Sequence, residues 1–157
     1  MTAQTSRLAI APTAEGMLVR IEGRASIPQS EAVEAVVRDL CTGDNHMHLI
    51  FDLARCTYVD STFLGTLVRQ HQRLGGERFA LVAPGEDAQR QLETTRLITL
   101  FTVIPASPSV LGPWQDIALP ELDAGAFAQQ VRQAHRALAA IPGPQQAAFQ
   151  AVVDQLR

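Results

Sequence analysis

Charge is scarce in this sequence. Only 18% of its 157 residues are Asp, Glu, Lys or Arg, 13 basic against 16 acidic, and the basic residues are scattered rather than gathered into a stripe. A nucleic acid or an anionic membrane surface would find no electrostatic footprint here, so neither is expected as a partner. Cysteine is scarcer still. Cys41 and Cys56 lack the dense spacing of a disulfide scaffold and the paired spacing of a metal-ligand motif, which suits free, inert thiols in a reducing cytoplasm. Met1–Ile10 contains no apolar core of signal-peptide length, and no apolar run reaches bilayer thickness. A soluble cytoplasmic protein is expected. There is no Gly-rich phosphate cradle, internal repeat or low-complexity segment, and no cofactor is implied.

What is present is apolar periodicity. Hydrophobic residues make up 46% of the chain, enough for one cored domain with a modest extension. Arg7–Ala11 and Met17–Glu22 predict a hairpin around a turn ending in Gly16. After a loop from Gly23 to Ile27, Pro28 opens a helix with Val33, Val36, Val37 and Leu40 on one face. The run from Met47 to Leu53 is nearly continuous in apolar character and predicts a central strand, continued by Cys56–Val59. Leu64, Leu67, Val68, His71 and Leu74 repeat at helical spacing until Gly75-Gly76, and Phe79–Val82 returns as a strand. A right-handed crossover makes those strands parallel. A further helix over Pro84–Thr95 and a strand at Thr102–Ile104 complete a small α/β domain with a mixed sheet, residues 7–105.

From Pro105 onward, Pro105, Pro108, Gly112, Pro113 and Pro120 break up the periodicity, which marks 106–157 as a linker and a C-terminal extension. Phe127, Val131, Ala134, Leu138 and Ile141 define one helix, and Phe149, Val152, Val153 and Leu156 a second. Such a hairpin must pack on the domain, on a second copy or on a partner, and a homodimer through these helices is one expectation.

Function is expected at Asp60-Ser61-Thr62-Phe63-Leu64-Gly65, between a strand and an amphipathic helix. An acid and two hydroxyls there can cap free N–H groups, and the same geometry would hold an added phosphate near the positive end of the helix dipole. Asp, Ser and Thr are also ordinary helix-start residues with no regulatory role. The wider order of strand, Asp-Ser-Thr turn, helix, Gly-Gly turn and strand is what favours a phosphorylation switch over a plain cap.

Other constellations carry less. His46 and His48 would share one side of a strand, but Asp44 or Cys41 supply only a speculative ligand set, so no metal is expected. His71 lies on the apolar stripe of its helix and reads as a packed residue, and Tyr58 and Trp114 likewise. No enzyme is expected.

Leu49–Leu53, Asp60-Ser61-Thr62-Phe63-Leu64-Gly65, Gly75-Gly76, and Leu92 with Leu97–Phe101 before a last strand resemble the STAS domain of bacterial anti-sigma factor antagonists, over roughly Leu8–Ile104. The resemblance implies a mixed sheet backed by helices. It implies binding to a histidine-kinase-like serine kinase that is also an anti-sigma factor, with Ser61 as phosphoacceptor, Thr62 the weaker candidate, and a serine phosphatase reversing the modification. Asp60 would help orient the kinase contact or the hydroxyl, with Phe63, Leu64, Ala25 and Ser26 at the partner surface. Phe63 stands where the family commonly has Gly, and an exposed Phe there would either anchor a particular kinase or hinder access to Ser61. The loop Gly23-Arg24-Ala25-Ser26 lacks the acidic residue many members carry. The runner-up is a constitutive STAS scaffold or accessory subunit of a transport or signalling complex, without phosphorylation.

Overall fold

A computed structural model describes residues 6–42, 47–82, 84–143 and 145–156. Asp44 and His46, weighed above as metal ligands, lie outside them. β1 (Arg7–Pro12) and β2 (Gly16–Ala25) form the expected antiparallel hairpin. β3 (His48–Asp52) pairs parallel with β2 on one side and with β5 (Phe79–Val82) on the other, so it is central. β6 (Val103–Ile104) lies parallel to β5 at one edge, and β7 (Gln115–Ile117) antiparallel to β1 at the other. The sheet order is β6-β5-β3-β2-β1-β7, with β4 (Cys56–Val59) pairing the far end of β2.

Residues alternate between the two faces of each strand. Val19, Ile21, Leu49, Phe51 and Leu81 join the main core, which takes in Val33 and Val37 of α1 (Ile27–Leu40), Phe63, Leu67 and Leu74 of α2 (Ser61–Leu74), and Ala88 and Leu92 of α3 (Glu86–Thr94). Leu18, Ile50 and Val82 form a second cluster on the opposite face, with Ile104 and Trp114 against it. That face is covered by the irregular segment after Pro105 rather than by helices. Val110 bridges to Thr13, the Leu111 N–H donates to the Pro12 carbonyl at 2.8 Å, and β7 then extends the sheet.

The same face holds a buried ion pair. Asp52 accepts from Arg20 Nε at 3.0 Å, Ser107 Oγ at 2.7 Å and the Ala54 N–H at 3.0 Å, and Trp114 stacks on the Arg20 guanidinium at 4.3 Å. Burial alone would raise the Asp52 carboxyl, but these bonds and the Arg20 charge outweigh it and hold the group below the usual carboxylate range.

β2 runs through Gly23–Ala25, which the sequence reads as loop. Gly23 takes φ 80° and the register shifts there, which turns the strand from β3 onto β4. Downstream, α4 (Ala124–Ala139) and α5 (Gln146–Gln155) pack on each other, and α4 lies along α2 and touches α1. Of their apolar stripes, Ala134, Leu138 and Val153 are buried within the chain, while Phe127 stays exposed. Cys56 is buried and Cys41 half-buried, both free, and burial pushes both thiols up. His71 sits edge-on to Phe79 and Phe101, as a packed residue. Among the described residues no helix is long and apolar enough to cross a membrane.

Candidate functional site

The start of α2 is built from the ends of two strands. β2 and β4 finish side by side, and the Asp60 N–H donates to the Ala25 carbonyl at 3.0 Å, so the turn before α1 and the turn before α2 are tied together. Asp60 is the N-cap of α2, with Oδ1 accepting from the Phe63 N–H at 2.8 Å. Burial is the largest influence on its carboxyl and holds it above the usual range, against the pull of the Phe63 N–H, the His135 ring, the Thr62 N–H and Arg24. At α1, Gln29 Oε1 reaches back to the Ser26 N–H at 3.0 Å, so Ser26 is engaged in its own helix start.

Ser61 is the first residue of α2 and is half-buried. Its Oγ lies 2.9 Å from His135 Nε2 of α4. His135 Nδ1 is 2.8 Å from the Val131 carbonyl, which can only accept, so in the neutral ring Nδ1 carries the hydrogen and the Ser61 hydroxyl donates to Nε2. The imidazole is 5% exposed and rests edge-on against Phe149 of α5, with ring centres 6.0 Å apart. Further along the helix pair, Gln130 Nε2 donates to Thr66 Oγ1 at 3.4 Å and Arg69 Nη1 to Gln133 Oε1 at 2.7 Å. Arg69 also pairs with Glu34 of α1 at 3.0 Å.

The other residues expected at the partner surface point elsewhere. Phe63 is wholly buried, not exposed, because its position on α2 faces the sheet with Leu67 and Leu74. It is neither an anchor for a kinase nor a screen over Ser61. Ala25 is fully buried, Leu64 lies in the core, and Thr62 is covered while its carbonyl accepts from Thr66 Oγ1 at 3.0 Å. Asp60, Ser61 and Ser26 keep partial access to solvent.

His135 escapes the sequence reading because it lies beside, not on, the apolar stripe that defines α4. Its one signal is the spacing of four from Val131, whose carbonyl can fix the tautomer. A serine bonded to an imidazole also has the outline of an activated nucleophile. Here the imidazole is oriented by a carbonyl rather than a carboxylate. The nearby polar hollow of about 230 Å3 between α1, α2 and α4 is walled by Glu31, Glu34, Arg38, Arg69 and Arg73 with Gln133, not by Ser61 or His135.

The family model of the STAS domain matches residues 8–110. Among solved structures, the chain is similar to an anti-sigma factor antagonist from Mycobacterium paratuberculosis, with 23% identity over 67% of this chain and 90% of that one and a TM-score of 0.56. It is also similar to the anti-sigma factor antagonist SpoIIAA in its unphosphorylated form, with 17% identity over 64% of this chain and 88% of that one and a TM-score of 0.52. At these identities the likeness is one of fold: the mixed sheet backed by helices.

Proposed function

This chain belongs to the STAS domain family, and we propose that it is a cytoplasmic, non-enzymatic anti-sigma factor antagonist that works by phosphorylation-controlled partner switching. In this reading the form with a free Ser61 hydroxyl captures a serine kinase that is also an anti-sigma factor, phosphorylation of Ser61 ends the capture, and a serine phosphatase restores it. The observation that carries the reading is the placement of Ser61 as the first residue of an Asp60-capped helix, next to the turn that begins α1. A phosphate adds about −1.5 to −2 charge at neutral pH. In the free protein the helix N-terminus tolerates that charge, whereas in a closed interface beside the Asp60 carboxylate it meets desolvation and like-charge repulsion. Binding falls while the fold survives.

The bond from Ser61 to His135 favours one second reading, in which the hydroxyl is purely structural and the domain is a constitutive scaffold. Peptide mass spectrometry on the protein from its host, beside a Ser61→Ala strain and with pull-down of bound partners, separates the two. Phosphate on Ser61 together with a kinase-like ATPase retained only by the unmodified form supports the switch. No phosphate under any growth condition, and an unchanged partner set in Ser61→Ala, leaves the scaffold.

A further inference from the structure

The helix that carries Ser61 is roofed by a segment outside the matched domain: the match ends at residue 110 and α4 begins at Ala124. The two sides of α2 are built differently. Towards the sheet it presents Phe63, Leu67 and Leu74, all buried. Towards α4 it presents Ser61, Gly65, Thr66 and Arg69, and three of these four contacts are hydrogen bonds, to His135, Gln130 and Gln133. Groups freed from such a contact regain their bonds from water, so it separates at lower cost than packed apolar side chains. The hairpin's apolar anchor lies beyond the Ser61 end, where Ala137 and Leu138 join the main core and Ile141 and Phe149 pack against it.

We infer that α4 and α5 form a cis-acting cover over the Ser61 face of α2, latched by the Ser61–His135 bond, which a partner must lift to reach the hydroxyl. The partner half of this inference rests on the antagonist reading; the cover itself rests on the contacts within the chain. Ser61 is half-buried and its hydroxyl is tied to the buried His135 imidazole, so a kinase active site, which must close around the acceptor side chain, needs it released. Releasing it means moving His135, and His135 moves with α4. The same motion uncovers Gly65, Thr66 and Arg69 of α2. The resting chain is then a closed, low-affinity state.

The test uses the full chain as wild type, His135→Ala and Gln133→Ala, the last of which loosens α4 without touching Ser61. Hydrogen exchange read by mass spectrometry is expected to speed up about fivefold across residues 124–139 in both variants, the change expected from loss of one hydrogen bond, with β3 and β5 unchanged. Ser61 phosphate occupancy in host cells is expected to rise in both. If exchange in the sheet accelerates equally with α4, the hairpin belongs to one cooperative unit and the cover is overturned. If α4 loosens but occupancy does not rise above a measurable wild-type level, α4 does not guard Ser61 and the inference fails. If no chain carries phosphate while α4 still loosens alone, the antagonist reading fails and takes the partner half with it.

Discussion

Gly65 of α2 lies against the backbone of Ala134 of α4: a Cβ at position 65 would overlap the Ala134 carbonyl group and come within 2.8 Å of its Cα. Two helix backbones this close need a residue without a side chain at the crossing. The Leu64-Gly65 pair that helped to identify the domain is also the seat of the extension. One glycine therefore joins the matched domain to a hairpin outside the match.

Gly65→Ala tests that crossing. In an exposed helix the change would gain about 1 kcal/mol of helix propensity. Here it is expected to destabilise by about 1–2 kcal/mol net, because a fixed carbonyl cannot move aside as a flexible side chain can. A melting temperature lower by a few degrees, with faster exchange confined to α4, is the expected result. A melting temperature raised by the propensity gain would show that the helices are not in contact there.

Ser61→Ala removes the donor to His135 Nε2 and leaves a buried acceptor unpaired, an expected cost of about 1–2 kcal/mol in urea unfolding. His135→Ala also loses the contact with Phe149, so neither single variant isolates the latch. The double variant does. Its cost is expected to fall short of the sum of the two by about 1 kcal/mol. Strict additivity would mean that the hydroxyl and the imidazole are not bonded in solution.

How far the site was legible depends on whether its parts are local in sequence. The cap by Asp60, the parallel β3 and β5 around α2, and the hairpin of β1 and β2 follow from turn chemistry and from periods of two and 3.6, and the sequence reading placed each of them. Phe63 lies in the core rather than at the exposed position the resemblance suggests, because helical spacing from Leu67 and Leu74 sends it to the sheet. His135 and β7 are not legible from local pattern because their partners, Ser61 and β1, lie far off in sequence. Gln115–Ile117 has no apolar alternation, and its strand exists because the edge of β1 offers unpaired N–H and C=O groups.

Asp52 predicts acid sensitivity of one sign. Its folded carboxyl titrates below the unfolded value, so the stability it contributes is fully present above about pH 4 and is lost as pH falls through the folded value. Asp52→Asn removes that contribution and leaves Arg20, whose side chain is 19% exposed, without its carboxylate. The expected loss is about 2–3 kcal/mol at pH 7, narrowing towards acid. Urea midpoints of the two proteins between pH 3 and 7 check it, and a gap independent of pH would contradict the depressed carboxyl.

Asp60 predicts the opposite sign. Its folded carboxyl titrates above the unfolded value, so its contribution is fully present below about pH 4 and is lost as pH rises through the folded value. Asn keeps an oxygen to accept from the Phe63 N–H and has no charge to desolvate. Asp60→Asn is therefore expected to be at least as stable as wild type at neutral pH and to lose that standing in acid, whereas Asp60→Ala loses the cap, about 1 kcal/mol, at every pH. A carboxylate held at this position against its own burial cost makes sense where a neighbouring hydroxyl gains and loses phosphate, because its charge sharpens the penalty on the modified form. With Asn at position 60, binding of the proposed kinase should then fall less on phosphorylation of Ser61 than it does in the wild type. An equal fall in both chains would place the penalty in the phosphate's own bulk and desolvation, with no part for Asp60.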